Sequence, residues 1–496
     1  MKDKLRQIES SHHFWYALGI SFLFFLLRLP SLFEPFWYGD EGIYETLGLA
    51  ISRGRVLYTQ IWDNKPPLLY YTYALFHGDQ FLVRLLSLFV GISCILIFFA
   101  LCQRIFNAQK RSTFIATATF AILFGLPFIE GNIANAENFM LLPIITAAYI
   151  IYTYPKKDGR IRQLLIAGFL LGIAFLYKIV GIFDFAALFV FLLITASPNS
   201  FTAKAIFTYV TKFLQTASLF TLGFVLPFLI SVLYFLSQGA LGAYIQAVFL
   251  STVGYVGYGN TFIIPQGLLI SKLLVLAAFV LYLFSKRQSV SRQTLFISLW
   301  VAFSLFNSFF SQRPYTHYVL VLLPSFSLVI GSIFITKNRF RIVSLLTGIL
   351  LSFTSLFFFN HWSVQKTVGY YTNFMSFITG EKSVTEYEAF FDRRVPQDME
   401  LVHYLNTHGK DNKTLFIWGN AAQIYYQTGT LPPGRFTVAY HIAGLKNHEE
   451  ETARALKDNP SDFTIVFKNA PNLTFPLTKG RQVLTTREAT IYERIN

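Results

Sequence analysis

Charge is scarce in this chain. Asp, Glu, Lys and Arg make up 14% of its 496 residues, against about 25% in a soluble globular protein, which argues for a surface solvated by acyl chains. Cysteine is scarcer still: Cys94 and Cys102 are the only two, and both fall in one apolar stretch. That excludes a disulfide framework and a cysteine metal site, and leaves packing as their role. Acids are the minority charge, 26 against 41 Lys and Arg, for a formal charge of +15. The basic excess is not gathered into the single face that nucleic-acid binding needs, so no nucleic-acid partner is expected. No G-x-G-x-x-G is present, which leaves a nucleotide site without support. Internal repeats are missing too, and with them the inverted halves of many transporters.

Apolar residues are abundant instead: 54% of the chain, including 55 Phe, with a mean hydropathy of +0.48. A helix needs about 20 apolar residues to cross the hydrocarbon core. That ruler marks eleven candidate spans near 14–33, 82–102, 113–129, 138–154, 162–177, 179–196, 214–236, 268–285, 293–310, 317–336 and 341–359. The first run is longer than a signal-peptide core and no small-x-small site follows it, so it is expected to stay as an uncleaved helix. Only Tyr177 and Lys178 separate the fifth and sixth spans, which predicts a tight re-entry there.

Lys and Arg crowd into alternate connections, among them Arg104, Lys110 and Arg111, then Lys286, Arg287 and Arg292. The opposite side has few: Arg53, Arg55, Lys65, Lys178 and Arg313. By the positive-inside rule the N-terminus lies in the cytoplasm and the C-terminal region outside a multi-pass plasma-membrane protein. From about residue 362 charges become frequent, and strand-like runs (414–418, 463–467, 491–494) alternate with helix-like ones (398–407, 448–457). The expected architecture is a polytopic α-helical membrane protein of about 11 spans, residues 1–361 with a first outer loop over 34–81, followed by a small extracytoplasmic α/β domain over 362–496.

That first outer loop collects more ionisable groups than any other connection. Asp40 and Glu41 open a helical pattern in which Ile43, Leu47, Ala50 and Ile51 share a face, so Asp40 reads as an N-cap and Gly54 as a C-terminal stop. A capped interfacial helix accounts for these residues equally well as a carboxylate poised as a general base. Asp63-Asn64-Lys65-Pro66-Pro67 opens a second helix, with Asp63 or Asn64 as cap. Lys65 beside that helix end makes an anion site. Arg28 and Arg84, near span ends, either snorkel to the interface or mark function. Glu130 and Glu137 supply acids to the next outer loop, Lys178 is the sole charge between two spans, and Arg313 and His317 complete the set. Acids and cations gathered on one face suit an anionic lipid headgroup and a reaction that moves a proton.

GDEGIYETLGLAISRGRVLY (39–58) followed by WDNKPPLLYY (62–71) resembles the polyprenyl-phosphate-dependent glycosyltransferases of the GT-C superfamily. Within it the chain is most similar to the branch of the protein O-mannosyltransferases and the lipid A aminoarabinose transferases. The likeness continues through RLLSLFVG (84–91), NAENFMLLP (135–143) and GIAFLYK (172–178), and more loosely YTHYVLVLLP (315–324). The resemblance implies a prenyl-monophosphate sugar donor and a protein, lipid or glycan acceptor. It implies Asp40 as the catalytic carboxylate, base or orienter of the acceptor hydroxyl, with Glu41 beside it. Lys65, Arg84, Lys178, Arg313 and His317 would hold the donor phosphate, and Asp63 and Glu137 would act as acceptor-side or second acids. The lipid A enzymes carry an acid directly before the Lys, where this chain has Asn64, so acceptor geometry is expected to differ. No cofactor is required; the acids could take a divalent ion, but no spacing demands one. A transporter or lipid flippase is the competing reading, with Asp184 as its main residue, and a structural scaffold is a third.

Overall fold

The computed structural model describes residues 12–107, 109–154, 161–198, 202–253, 260, 263–313, 315–335, 364–409, 413–477 and 480–495. Ten of the expected spans are helical, and the one at 341–359 lies outside the described residues. Seven helices among the described residues are long and apolar enough to cross a membrane: His12–Phe33, Gln80–Ile105, Ala136–Thr153, Ile179–Ala196, Tyr209–Ser237, Gly267–Ser285 and Thr316–Ile333. Lys110–Gly125, Ile161–Tyr177 and Arg292–Ser308 are shorter, at 16 or 17 residues. The helix break falls at Lys178, where the sequence places the re-entry.

The chain divides into two compact units. The first comprises residues 1–29, 86–233 and 252–367. Its core is one continuous apolar cluster that includes Phe98, Phe120, Ile144, Leu171, Phe191 and Trp300. Ala136–Thr153 packs on Ile161–Tyr177, Lys110–Gly125 on Leu323–Ile333, and Ile182–Ala196 on Arg292–Ser308. Asp184 sits in this core and accepts the Trp300 indole N–H at 2.9 Å. That is a structural pairing and weakens the transporter reading.

Helix Ile161–Tyr177 meets Ala203–Ser237 through glycine. A Cβ at Gly168 would collide with the Phe220 carbonyl, and one at Gly172 with the Phe224 carbonyl. Small residues four apart let two backbones approach where lipid offers no hydrophobic drive. Gly172→Leu is therefore expected to force the helices apart, at a cost of about 1–3 kcal/mol or more, read as a lower yield of monodisperse protein. Gly19→Leu, where a Cβ meets nothing, is the control.

The second unit comprises residues 30–85, 234–251 and 368–496. Its sheet runs β1 (Leu415–Trp418), β2 (Phe463–Phe467), β4 (Ala489–Arg494), β3 (Gly480–Thr485), with β1 and β2 parallel and the other pairs antiparallel. The parallel pair requires a crossover helix, supplied by Lys446–Asp458. Strand β3 went unread in the sequence because it is a largely exposed edge, GRQVLT, with no apolar run. Helix Gly39–Ser52 of the first loop belongs to this unit and lies against Gln423–Gln427. Thr46 donates to the Ala422 carbonyl at 2.8 Å, and a Cβ at Gly42 would stand 2.8 Å from the Gln423 nitrogen. The first loop and the C-terminal α/β fold thus form one packed body.

Candidate active site

Asp40 lies in the first turn of helix Gly39–Ser52 and is not its cap. Tyr38 holds the N-cap position and makes no side-chain capping bond, while the Asp40 carboxylate is engaged elsewhere. Its Oδ2 accepts from the Tyr44 hydroxyl at 3.1 Å and from Lys65 Nζ at 3.3 Å. With a side-chain exposure of 36% it remains open to a reactant. Gly54, at φ +88°, does end the helix as expected.

Asp63 and Asn64 do not cap the next helix either: Pro66 stands at its N-cap and Pro67 opens it. The buried Asp63 carboxylate accepts the Asn64 N–H at 2.7 Å and the Tyr70 hydroxyl at 2.8 Å, and lies 3.8 Å from Lys65 Nζ. The Lys65 backbone is pinned as well, its carbonyl by the Tyr58 hydroxyl at 2.8 Å and its N–H by the Tyr70 oxygen at 3.1 Å. Tyr58 sits at φ +70°, a conformation a bulky residue keeps only when its surroundings impose it. Burial pushes the Lys65 ammonium down, but Asp40 and Asp63 outweigh this and hold it well above its ordinary value. Lys65 is therefore a fixed cation between two carboxylates.

Glu41 and Arg84 occupy a different place from the one the sequence suggested. Both are buried, at 2% and 1% exposure. Arg84 Nε and Nη2 clasp the Glu41 carboxylate at 3.0 and 2.5 Å, while Nη1 donates to the Ser31 carbonyl at 2.6 Å and lies 3.2 Å from Glu34. Glu34 also accepts from Tyr370 at 2.6 Å and Trp37 at 2.7 Å. Burial, then Glu41, pushes the carboxyl of Glu45, beside this network, well above its usual range. A guanidinium so fully engaged does not snorkel.

In the first unit, Lys178 pairs with Glu137 and stands 4.0 Å over the Tyr318 ring. His317 Nδ1 lies 2.7 Å from Glu130 and Nε2 3.9 Å from Glu137, and Thr316 donates to Glu130 at 2.5 Å. Lys178, Glu137, Val180, Asn307, Phe310 and Tyr318 help line a pocket of about 500 Å³ including its open mouth. Arg313 is half-buried in the segment before Thr316–Leu322. Arg28 is buried at the end of its helix, with Ser87 and the Asn132 carbonyl each 3.3 Å away. Among the described residues no three His, Cys, Asp or Glu converge to hold a metal ion.

Sequence reasoning missed Glu34, Tyr44, Tyr70 and His441. The first three sit in the same outer loop, where their chemistry was available to be weighed. His441 had no local signal: it is some four hundred residues away, and the fold brings its Nε2 to 3.6 Å from Asp63. Burial lowers its pKa from 6.5 to about 4, against the opposing pull of Asp63. Between those values the unfolded chain binds a proton that the folded one does not, so His441's contribution is present above pH 6.5 and lost toward pH 4. His441→Gln is expected to flatten the thermal-stability profile across that window.

Residues 64–230 match the family model of dolichyl-phosphate-mannose-protein mannosyltransferases, a stretch that carries Lys65, Arg84, Glu137 and Lys178. No curated protein matches the chain. In fold it is similar to ArnT from Cupriavidus metallidurans in the apo state, with a TM-score of 0.54 and 13% identity over 98% of this chain and 99% of that one. The same protein bound to undecaprenyl phosphate gives a TM-score of 0.51 and 12% identity over equal shares. The apo oligosaccharyltransferase of Archaeoglobus fulgidus is also similar, at a TM-score of 0.48 and 11% identity over 92% of this chain and 70% of that one. The chain thus matches the mannosyltransferase family model over residues 64–230 and shares the fold of ArnT over 98% of its length.

Proposed function

We propose that the protein transfers a sugar from a polyprenyl-phosphate donor to an extracytoplasmic hydroxyl on a protein, lipid or glycan, with inversion and with Asp40 as the base. The observation that carries this reading is the Asp40 carboxylate itself, half-open and held by Lys65 and Tyr44. The donor class is supported by the mannosyltransferase family match and by undecaprenyl phosphate in the structurally similar ArnT. Orientation follows the positive-inside asymmetry: N-terminus cytoplasmic, residues 362–496 outside.

Displacement at an anomeric carbon passes through an oxocarbenium-like state while negative charge grows on the leaving phosphate. Cations fixed before the reaction stabilise that charge without reorganising. Lys178 fits this role: an ammonium held by Glu137 and Tyr318 at a pocket that also has the apolar walls an isoprenoid needs. Arg313 supplies a further guanidinium and His317 an imidazole from the adjoining segment. Lys65 holds and aims the Asp40 carboxylate, and Asp63 positions Lys65. Glu41 and Arg84 act through the scaffold. Asp40 then removes the acceptor proton as the new bond forms.

Incubating purified protein in lipid nanodiscs with polyprenyl-phosphate hexoses and a panel of hydroxyl acceptors (a Ser/Thr peptide, a glycolipid and a glycan), and following sugar on the acceptor together with release of free polyprenyl phosphate, tests the reading. Turnover with at least one donor is expected, and it should persist in EDTA because the scheme uses no divalent ion. Absence of release with every donor, alongside robust lipid translocation, would favour the flippase reading.

A further inference from the structure

Helix Gly267–Ser285 carries one charged side chain, Lys272, in its second turn. Its neighbours Ile270, Leu273, Leu274 and Val275 are exposed, as suits a helix that faces lipid. An ammonium within a span is costly and is a functional lead by default. Lys272 turns toward the protein instead. Its Nζ donates to the Phe309 carbonyl at 2.6 Å and to Asn260 Oδ1 at 2.9 Å. Asn260 is fully buried, and its own amide donates to the Phe310 carbonyl at 3.0 Å. The Asn260 carbonyl accepts the Leu268 N–H at 3.1 Å, which ties it back to the Lys272 helix.

Phe309 is the C-cap of helix Arg292–Ser308, where carbonyls lack partners in their own helix. Neutral donors would satisfy them, so a charged cap in a lipid-facing helix calls for a further reason. The turn that follows supplies one. Asn307, Phe310 and Ser311 line the pocket that contains Lys178. Asn307 donates to the carbonyl of Val180, two residues beyond Lys178, at 3.4 Å. Ser308 donates to the Tyr318 carbonyl at 3.2 Å, and the Lys178 ammonium stands 4.0 Å over the Tyr318 ring. The turn held by Lys272 is thereby bonded to both segments that set the place of Lys178. A cation stabilises developing charge best when its position is fixed before the reaction.

We propose that Lys272 is a positioning residue of the donor site. With Asn260 it locks the turn at 307–311, and through Val180 and Tyr318 it holds Lys178 in place for the donor phosphate. The inference rests on the transferase reading, with Lys178 as the cation of the donor phosphate, and adds a residue that acts through the pocket wall.

The test is equilibrium binding of undecaprenyl phosphate to the full chain in detergent, with thermal melting of each variant alongside. The wild type should bind saturably. Lys272→Met removes both ammonium bonds and Asn260→Ala frees the Phe310 carbonyl; each should weaken binding about tenfold. Asn260→Ala, which leaves the charge in place, decides alone if Lys272→Met does not fold. Lys272→Arg keeps charge and donors and should restore most of the affinity. In a Lys178→Met background, Lys272→Met should cost little more, because its effect passes through Lys178. A mere helix cap would lower the melting temperature and leave the affinity of the folded protein unchanged, and that result overturns the proposal. Full additivity of the two lysine variants, or no recovery with arginine, overturns it as well. No binding by the wild type removes the donor reading together with the inference, whereas loss of binding in Lys178→Met alone removes only the inference.

Discussion

Arg84→Ala is expected to destabilise the second unit by about 3–5 kcal/mol, the usual cost of stranding buried charges by removing their partner. Here the stranded groups are Glu34 and Glu41, both buried against the guanidinium. The readout is thermal unfolding of the purified protein, with the variant melting well below the wild type. The companion double variant Arg84→Met with Glu41→Met separates charge from shape. Replacing a buried pair by apolar residues of similar volume is often close to neutral, so the double variant should recover much of the loss, with Glu34 still held by Tyr370 and Trp37. If Arg84→Ala melts like the wild type and fails only in turnover, Arg84 contacts the donor and the positioning role is wrong.

Asp40→Asn is expected to lower kcat for transfer by about 10²–10⁴-fold, the range general-base catalysis contributes. Asparagine keeps the shape and an oxygen for the Tyr44 and Lys65 bonds, so thermal stability should move little. Donor KM should stay near the wild-type value, because the donor phosphate is assigned to Lys178 and its neighbours. The converse variant, Lys178→Met, should impair donor binding and turnover together. A KM change confined to Asp40→Asn would reverse the two assignments.

Much of this was legible in the sequence, and the parts that were not share a cause. Helical spans showed because a run of apolar residues is a local property. So did β1 and β2, as Leu415–Trp418 and Phe463–Phe467 are buried throughout or nearly so. The Lys178 break showed because one charge interrupts two apolar runs. What local reading misjudged was commitment: Asp40 and Asp63 have the composition of helix caps, yet their carboxylates are taken by Lys65, Tyr44 and Tyr70. Arg84 read as a cation free for a phosphate, although two acids some forty to fifty residues earlier claim it. The approach of His441 to Asp63 is a product of tertiary packing alone.

The central claim is a single displacement in which a carboxylate takes a proton and forms no bond to the sugar. The measurement that tests it most directly is the anomeric configuration of the first-formed product, read by NMR, from a polyprenyl-phosphate sugar of known configuration. Inversion at the anomeric carbon, with one free polyprenyl phosphate per sugar transferred, is the predicted result. Retention would require two successive displacements through a covalent glycosyl-enzyme, and would contradict the role given to Asp40.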